Sequence, residues 1–507
     1  MTRAFSLPLP LTLFFIAAGC SSGVDLQLDV LGPPPSNAAP AALSWAATGG
    51  PTYADYTEVA WVSDGSVAVA GNLYPVDDPD ITEETGYLAR FAADGTMMWS
   101  HRIDGESLLG DALPDGDGGD RIVDVQTSID AMDALDDGRL VVAITTMTNV
   151  IEPPNAALSG RSFLQWYAAD GSLVQTSALD ATDGNEALVT PLGLLALPDG
   201  GVVLSGATTS GPAPDGGGPG ITGGVVVRLD ALGDVAWRIP AGVNQIVTSL
   251  GPIQTVNDMS LMPDGGIALR GDFSGGDVTV GDRHAPGIDG SYGTYVARLE
   301  PDGTCTWLRT FNEAAGLSHP SGRSMDVTPG GHLLVAGFFS GSLQMDELTL
   351  EAPDDDLVYF LADLDAGGTV VNLHALDDLP AAVGDTGFGG FDALVLDGDQ
   401  VVVAGSTQES FASHGGDCDD LDIALEGAYV ARYDLAGHIV DAQRMAVAPR
   451  ESGDQGYADA VDLSPEGRLA VTGRFGGRAD FGAGPVQANS LSEGFVAVYD
   501  PAENDVD

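Results

Sequence analysis

The chain has 507 residues, with 74 Asp and Glu against 19 basic residues, all of them arginine, and a formal charge of -55. Such a surface repels phosphate backbones and anionic head groups over a Debye length of about 8–10 Å. Nucleic-acid binding and direct adhesion to anionic lipid are therefore excluded as functions, and so is a Walker-type phosphate loop, which needs lysine.

Arg3 followed by an apolar stretch from Leu7 to Ala18 is too short to span a membrane and reads as an export signal over residues 1–19. Ala17-Ala18-Gly19-Cys20 resembles the lipobox of bacterial lipoproteins. That resemblance implies that Cys20 becomes the lipid-bearing first residue, although Ala17 stands where the pattern has leucine and an ordinary secretory signal is the alternative reading. Ser21 after the cysteine implies, by the same resemblance, sorting to the outer membrane of a bacterial cell envelope. Residues 20–41, with Pro33-Pro34-Pro35, read as an extended tether that attaches the rest through the lipid alone.

From residue 42 to 507 one two-part phrase recurs seven times. Its first half reads DGSVAVAG to Gly71, DGGIALRG to Gly271, GGHLLVAG to Gly337 and EGRLAVTG to Gly473; its second reads GYLARFAADGTMMW to Trp99, GVVVRLDALGDVAW to Trp237 and GTYVARLEPDGTCTW to Trp307. Six intervals of about 67 residues separate Gly71 from Gly473, room for four strands and their loops. Runs such as VAVA and LLVA are too short for helices and apolar at consecutive positions, so both faces must be buried, as in an inner strand of a propeller blade. Asp-Gly pairs such as Asp64-Gly65 and Asp94-Gly95 supply tight hairpins. The last unit ends at Asp500 without its tryptophan-bearing strand, while ALSWAATG, residues 42–49, stands unmatched before the first unit. The pattern predicts a single all-β domain: a seven-bladed β-propeller of four-stranded antiparallel blades, its last blade completed by an N-terminal strand.

The phrases YADAVDLSPEGRLAVTG, GTYVARLEPDG and TFNEAAGLSHPSGRSMDVTPGGHLLVAG together resemble the bacterial seven-bladed propellers with SBBP-type repeats. The resemblance implies a propeller fold and export, and brings no reaction and no catalytic residues. The second unit departs from the pattern, with Ile144 for the glycine and Trp166 for the recurrent arginine.

The recurrent Arg90, Arg228, Arg298 and Arg432 read as partners of turn or neighbouring-blade carboxylates rather than an anion-binding ring. Trp99, Trp237 and Trp307 read as blade packing rather than a cofactor platform. Cys305 and Cys418 belong to different units and are expected as free thiols. With both Asp-Gly hairpins of each blade on one face, the long acidic loops share the other. The best metal candidate there is DALPDGDGGD, where Asp111, Asp115, Asp117 and Asp120 have a spacing suited to calcium; a plain solvated acidic loop is the alternative. No cofactor is otherwise implied. The composite expectation is a lipid-anchored binding or scaffold module for an envelope protein or glycan. The alternative is an envelope hydrolase, lyase or quinone-dependent oxidoreductase using loop carboxylates near the channel.

Overall fold

The structure is a computed structural model, which describes residues 43–48, 53–74, 84–109, 122–152, 155–179, 187–212, 219–242, 254–274, 277–287, 292–312, 321–339, 341–352, 358–377, 391–407, 427–444, 456–488 and 492–501. Among these residues the chain forms seven four-stranded antiparallel sheets, each a blade, with one five-residue helix at Gly105–Leu109.

In blade 1 the strands Tyr53–Trp61, Val67–Tyr74, Thr85–Phe91 and Met97–Ile103 are ordered consecutively from first to fourth. Blade 2 (Ile122–Ala134, Leu140–Glu152, Asn155–Tyr167, Leu173–Ala178) and blade 3 (Ala187–Ala196, Val202–Pro212, Pro219–Leu229, Val235–Pro240) repeat this order. Blade 4 (Asp258–Leu261, Ile267–Ser274, Tyr292–Leu299, Cys305–Asn312) and blade 5 (Ser321–Val327, Leu333–Phe339, Val358–Leu364, Val370–Ala375) each insert a two-stranded hairpin between second and third strands. Blade 6 is Phe391–Asp397, Gln400–Thr407, Gly427–Asp434 and Ile439–Arg444. Blade 7 has Gly456–Leu463, Leu469–Phe475 and Glu493–Tyr499, another inserted hairpin, and Leu43–Thr48 as its fourth strand.

That N-terminal strand pairs antiparallel with Glu493–Tyr499, Leu43 opposite Tyr499 and Trp45 opposite Val498, so the ring closes as the unmatched ALSWAATG phrase predicts. The second blade, despite Ile144 and Trp166, keeps the common strand order; its second and third strands run 13 residues each and meet at Glu152 and Asn155.

The first strand of every blade touches the first strands of both neighbouring blades, so the seven first strands line the axis. The consecutive apolar runs sit one place further out than an innermost strand: Val67, Ala68, Val69 and Ala70 belong to the second strand of blade 1 and are fully buried. The second strand has a sheet neighbour on each side and a blade on each face, whereas the innermost strand has an open edge toward the channel.

A bulge near the middle of the innermost strand explains the recurrent glycine. Between Tyr56 and Glu58 the register shifts by one residue. The bulge brings the Asp55 carbonyl oxygen to 1.8 Å from where a Cβ on Gly71 would lie, so no side chain fits. The recurrent tryptophan latches blades 7, 1, 3 and 4 each to the next. Trp45, Trp99, Trp237 and Trp307 donate Nε1–H at 3.0 Å to Ala93, Ala169, Pro301 and Ala366, each in the third-to-fourth-strand turn of the following blade. In blade 2 Gln175 takes this place and donates to Leu232 at 2.7 Å.

The recurrent arginine is a structural cation. Arg90 is fully buried, pairs with Asp64 at 2.9 Å and donates to the Gly138 carbonyl of blade 2 at 3.0 Å. Arg228 pairs with Asp199, Arg298 with Asp264, and Arg432 more loosely with Asp441 at 3.4 Å. In blade 5 Asp363 occupies the arginine position and His332 Nδ1 faces its carboxylate at 2.8 Å.

Candidate functional site at the axial mouth

An innermost strand is a sheet edge, and its outward N–H groups need acceptors once the ring buries them. Carboxylates from the preceding blade supply these. Asp133 accepts from Ala196 N at 2.7 Å, Asp258 from Met325 N at 2.7 Å, Asp326 from Leu396 N at 2.8 Å and Asp462 from Trp61 N at 2.7 Å. The other oxygen of each accepts the N–H of its own following residue, between 2.7 and 2.8 Å. Glu58 takes the Met132 N–H in the same way. Among the described residues five of the seven blade junctions thus carry a carboxylate clasp, and in the other two blades Leu195 and Val395 stand where blades 2, 5 and 7 have Asp133, Asp326 and Asp462.

These side chains keep partial contact with the channel, yet protein encloses them on all sides and few cations face them. Burial pushes the Glu58 carboxyl up to about 8, with Asp133, Asp130 and Asp258 adding like charge. Burial likewise raises Asp462 to about 7, and Asp133 and Asp258 to about 6.

The long-loop end of this channel holds a second group, between blades 7, 1 and 2. Asp55, only 4% exposed, sits at the start of the innermost strand of blade 1 and accepts from Arg474 of blade 7 at 2.7 Å. The Arg474 guanidinium lies 4.5 Å over the Tyr457 ring and its side chain is 32% exposed. Burial opposes its charge, but Asp55 and Asp459 outweigh that and hold it firmly cationic. Burial also raises Asp55, against the pull of Arg474. Beside them Glu84 is raised to about 7 by burial and by Asp130 and Asp55, and Asp130 is raised to about 7 by burial despite hydrogen bonds from Thr145 and Ser128.

Tyr56 packs against the same junction. Its ring stacks on Tyr87 at 5.7 Å and lies 2.8 Å from where a Cβ on Gly494 of blade 7 would sit. The absence of a side chain at Gly494 is what lets the first and last blades approach here. Chemically, the mouth offers a partly exposed guanidinium on an aromatic face and carboxyls that hold their protons near neutrality. That combination suits hydrogen bonding to a polar ligand and, for Glu84 and Asp130, proton transfer.

The sequence-derived site residues fall elsewhere. Asp111, Asp115, Asp117 and Asp120 lie outside the described residues, as do Cys20 and Cys418. Cys305 is buried and free. Among the described residues no group of three or more His, Cys, Asp and Glu is arranged to hold a metal ion, and no helix is long and apolar enough to cross a membrane. The axial acids escaped a reading centred on loops. One signal was available: an Asp five residues before the hairpin glycine recurs at Asp133, Asp326 and Asp462.

The fold is a seven-bladed β-propeller. No family model matches the chain, and no curated protein does. Among solved structures, a protein of unknown function from Dyadobacter fermentans is 12% identical with a TM-score of 0.38, over 92% of this chain and 100% of its own. A second protein of unknown function, from Bacteroides caccae, is 11% identical with a TM-score of 0.30, over 71% and 89%. The GH93 alpha-L-arabinofuranosidase of Fusarium graminearum is 11% identical with a TM-score of 0.37, over 78% and 98%. Likeness at this level carries no argument about activity.

Proposed function

We propose that the chain is an exported, lipid-anchored propeller of the SBBP-repeat kind that acts as a binding or scaffold module at the bacterial cell envelope, engaging a protein or glycan through its long-loop face. The observation that carries this reading is Arg474, a partly exposed guanidinium braced by Asp55 and stacked on Tyr457 at the axial mouth. Strands of blades 7 and 1 hold the group, and loops carried on such a scaffold are where specificity is set. Cys20 would carry the lipid, residues 20–41 the tether, and Asp111, Asp115, Asp117 and Asp120 a calcium ion that orders the adjoining loop.

A pulldown from outer-membrane extract tests the reading. One partner should be recovered repeatedly, and lost with Arg474→Met or with the four loop aspartates changed to Asn. Recovery unaffected by either change refutes it. A second reading, an envelope enzyme, is favoured by Glu84 and Asp130, whose raised carboxyls are suited to general acid chemistry. Turnover of a polysaccharide or alcohol panel abolished by Glu84→Gln or Asp130→Asn would select it over binding.

A further inference from the structure

The outer edge of most blades is met by another part of the chain. In blade 4 Arg283 of the inserted hairpin donates to the Cys305 carbonyl at 3.3 Å, and in blade 5 Asp346 accepts the Val370 N–H at 3.0 Å. The blade 4 hairpin also reaches blade 3, where Gly281 N donates to the Pro240 carbonyl at 2.8 Å. In blade 6 Asp377 accepts the Ile439 N–H at 3.2 Å. Blade 7 ends on Leu43–Thr48, whose first residue lies 3.4 Å from where a Cβ on Gly482 of the adjoining hairpin would sit. Among the described residues blades 1 and 2 have no inserted hairpin, and no hydrogen bond caps the outward backbone of Met97 or Met98 in blade 1. Those two side chains are 47% and 48% exposed. An uncapped sheet edge flanked by apolar side chains is a template for one more strand.

The described chain begins beside this edge. Trp45 seats on the turn at residues 93–95 of blade 1: its indole donates to the Ala93 carbonyl at 3.0 Å, and its ring lies 2.8 Å from where a Cβ on Gly95 would sit. Arg468 ties the same two segments, donating to Ser44 Oγ at 3.0 Å and to the Ala93 carbonyl at 3.4 Å. Met97 follows Gly95 by two residues. Upstream, VDLQLDV at residues 24–30 alternates strictly, with Val24, Leu26, Leu28 and Val30 apolar and no Gly or Pro until Gly32 and Pro33. That period belongs to a strand with one face covered, which a bare tether does not need. The twelve residues 31–42 span up to about 40 Å when extended, and packed sheets stand only about 10 Å apart.

We infer that residues 24–30 add a fifth strand to the outer edge of blade 1, antiparallel to Met97–Ile103. Leu43 lies at the hairpin end of the ring, opposite Tyr499, and an antiparallel strand finishes at that same end, which makes the connection through residues 31–42 direct. Backbone pairing caps the edge, and the apolar side chains of the segment extend the sheet beside Met97 and Met98. The added strand starts at the long-loop end of the blade, so Cys20, four residues before Val24, is delivered to that end of the ring. The strand addition is independent of lipidation and of the axial mouth.

Hydrogen exchange of the full chain, read by mass spectrometry, tests this. The amides of residues 24–30 should exchange at least tenfold more slowly than in a synthetic peptide of residues 20–41. Leu26→Asp with Leu28→Asp should abolish that protection and speed exchange in Met97–Ile103, while the buried strand Val67–Tyr74 stays as slow as in wild type and reports a folded ring. Met97→Asp with Met98→Asp should release residues 24–30 in the same way. Exchange of the segment at the peptide rate overturns the proposal. So does protection that survives the two methionine changes, or a segment variant that leaves Met97–Ile103 unaltered, since either seats the segment elsewhere. Protection that fades on dilution assigns the segment to the edge of a second copy and overturns it too.

Discussion

Asp462 of the last blade accepts the backbone N–H of Trp61 in the first at 2.7 Å, and its own carbonyl accepts the Trp61 indole N–H at 3.2 Å. One residue thus fastens main chain and side chain across the seam where the ring closes. Replacing Asp462 with Ala orphans a buried N–H and should cost about 1–3 kcal/mol. Replacing it with Asn keeps an acceptor oxygen and should cost clearly less. Urea denaturation of both variants decides this; equal losses would mean the clasp contributes nothing beyond packing.

The clasps also set a pH dependence. Glu58, Asp462, Asp133 and Asp258 have native pKa values of about 8, 7, 6 and 6, above their unfolded values near 4. Between those limits the unfolded chain releases protons that the native chain retains, so their contribution is full below about pH 4 and is lost as pH rises through 6 to 8. The turn aspartates Asp64, Asp264 and Asp434 have lowered values, so their contribution is present above the unfolded value and is lost as pH falls through the native one. The melting temperature should peak between about pH 4 and 6 and fall by several degrees toward pH 8. A flat or rising profile from pH 5 to 8, at constant ionic strength, contradicts the assignment.

Removing residues 1–49 strips the rim from blade 7 and bares the edge of Glu493–Tyr499, which includes Phe495, Val496, Ala497 and Val498. Light scattering should show the truncated chain aggregating where the full chain stays dispersed. The milder Trp45→Ala, which removes the latch onto Ala93 and the packing on Phe91 but keeps the strand, should stay dispersed and lose about 2–3 kcal/mol.

At the mouth, Arg474→Met leaves the Asp55 carboxyl buried without its cation, and a loss of about 3 kcal/mol is expected. Adding Asp55→Leu removes the stranded acid and should restore much of that loss. A double-mutant cycle by chemical denaturation measures the coupling; additive effects would show that the pair is not energetically linked.

Calcium at the loop holding Asp111, Asp115, Asp117 and Asp120 should raise the melting temperature at millimolar concentration, and chelator should reverse the rise. Magnesium at matched ionic strength is the control for screening alone. An identical response to both ions removes calcium from the proposal.

Much of the ring was legible because its devices repeat. Gly71 and Gly473 recur since each must clear a carbonyl oxygen of a bulged innermost strand, at 1.8 and 2.0 Å from a notional Cβ, and Gly271 clears that of Thr255, just ahead of its innermost strand, at 1.8 Å. Trp99, Trp237 and Trp307 recur since each closes on the turn of the next blade. Even the seam could be read, from one surplus strand phrase and one shortfall. The axial mouth could not, because Asp55, Asp130 and Arg474 come from three strands, Glu84 from just before a fourth, across three blades, and they share no local spacing. Their perturbed titration is created by convergence and enclosure, and nothing in the flanking residues encodes it. The apolar runs were legible as inner strands from burial on both faces, and the structure makes them the second strand of each blade.

Leu43–Thr48 and Glu493–Tyr499 share one sheet while standing at opposite ends of the chain. A ribosome delivers Trp45 before every other strand of the ring and Val498 after all of them, so the early strand must wait through the synthesis of seven blades before its mate exists. Blades 1 to 6 can assemble as they emerge; the annulus can only be locked by the final arrivals. Any interruption of translation before Glu493–Tyr499 therefore yields an open crescent, a species a quality-control protease could recognise by its unzipped flank.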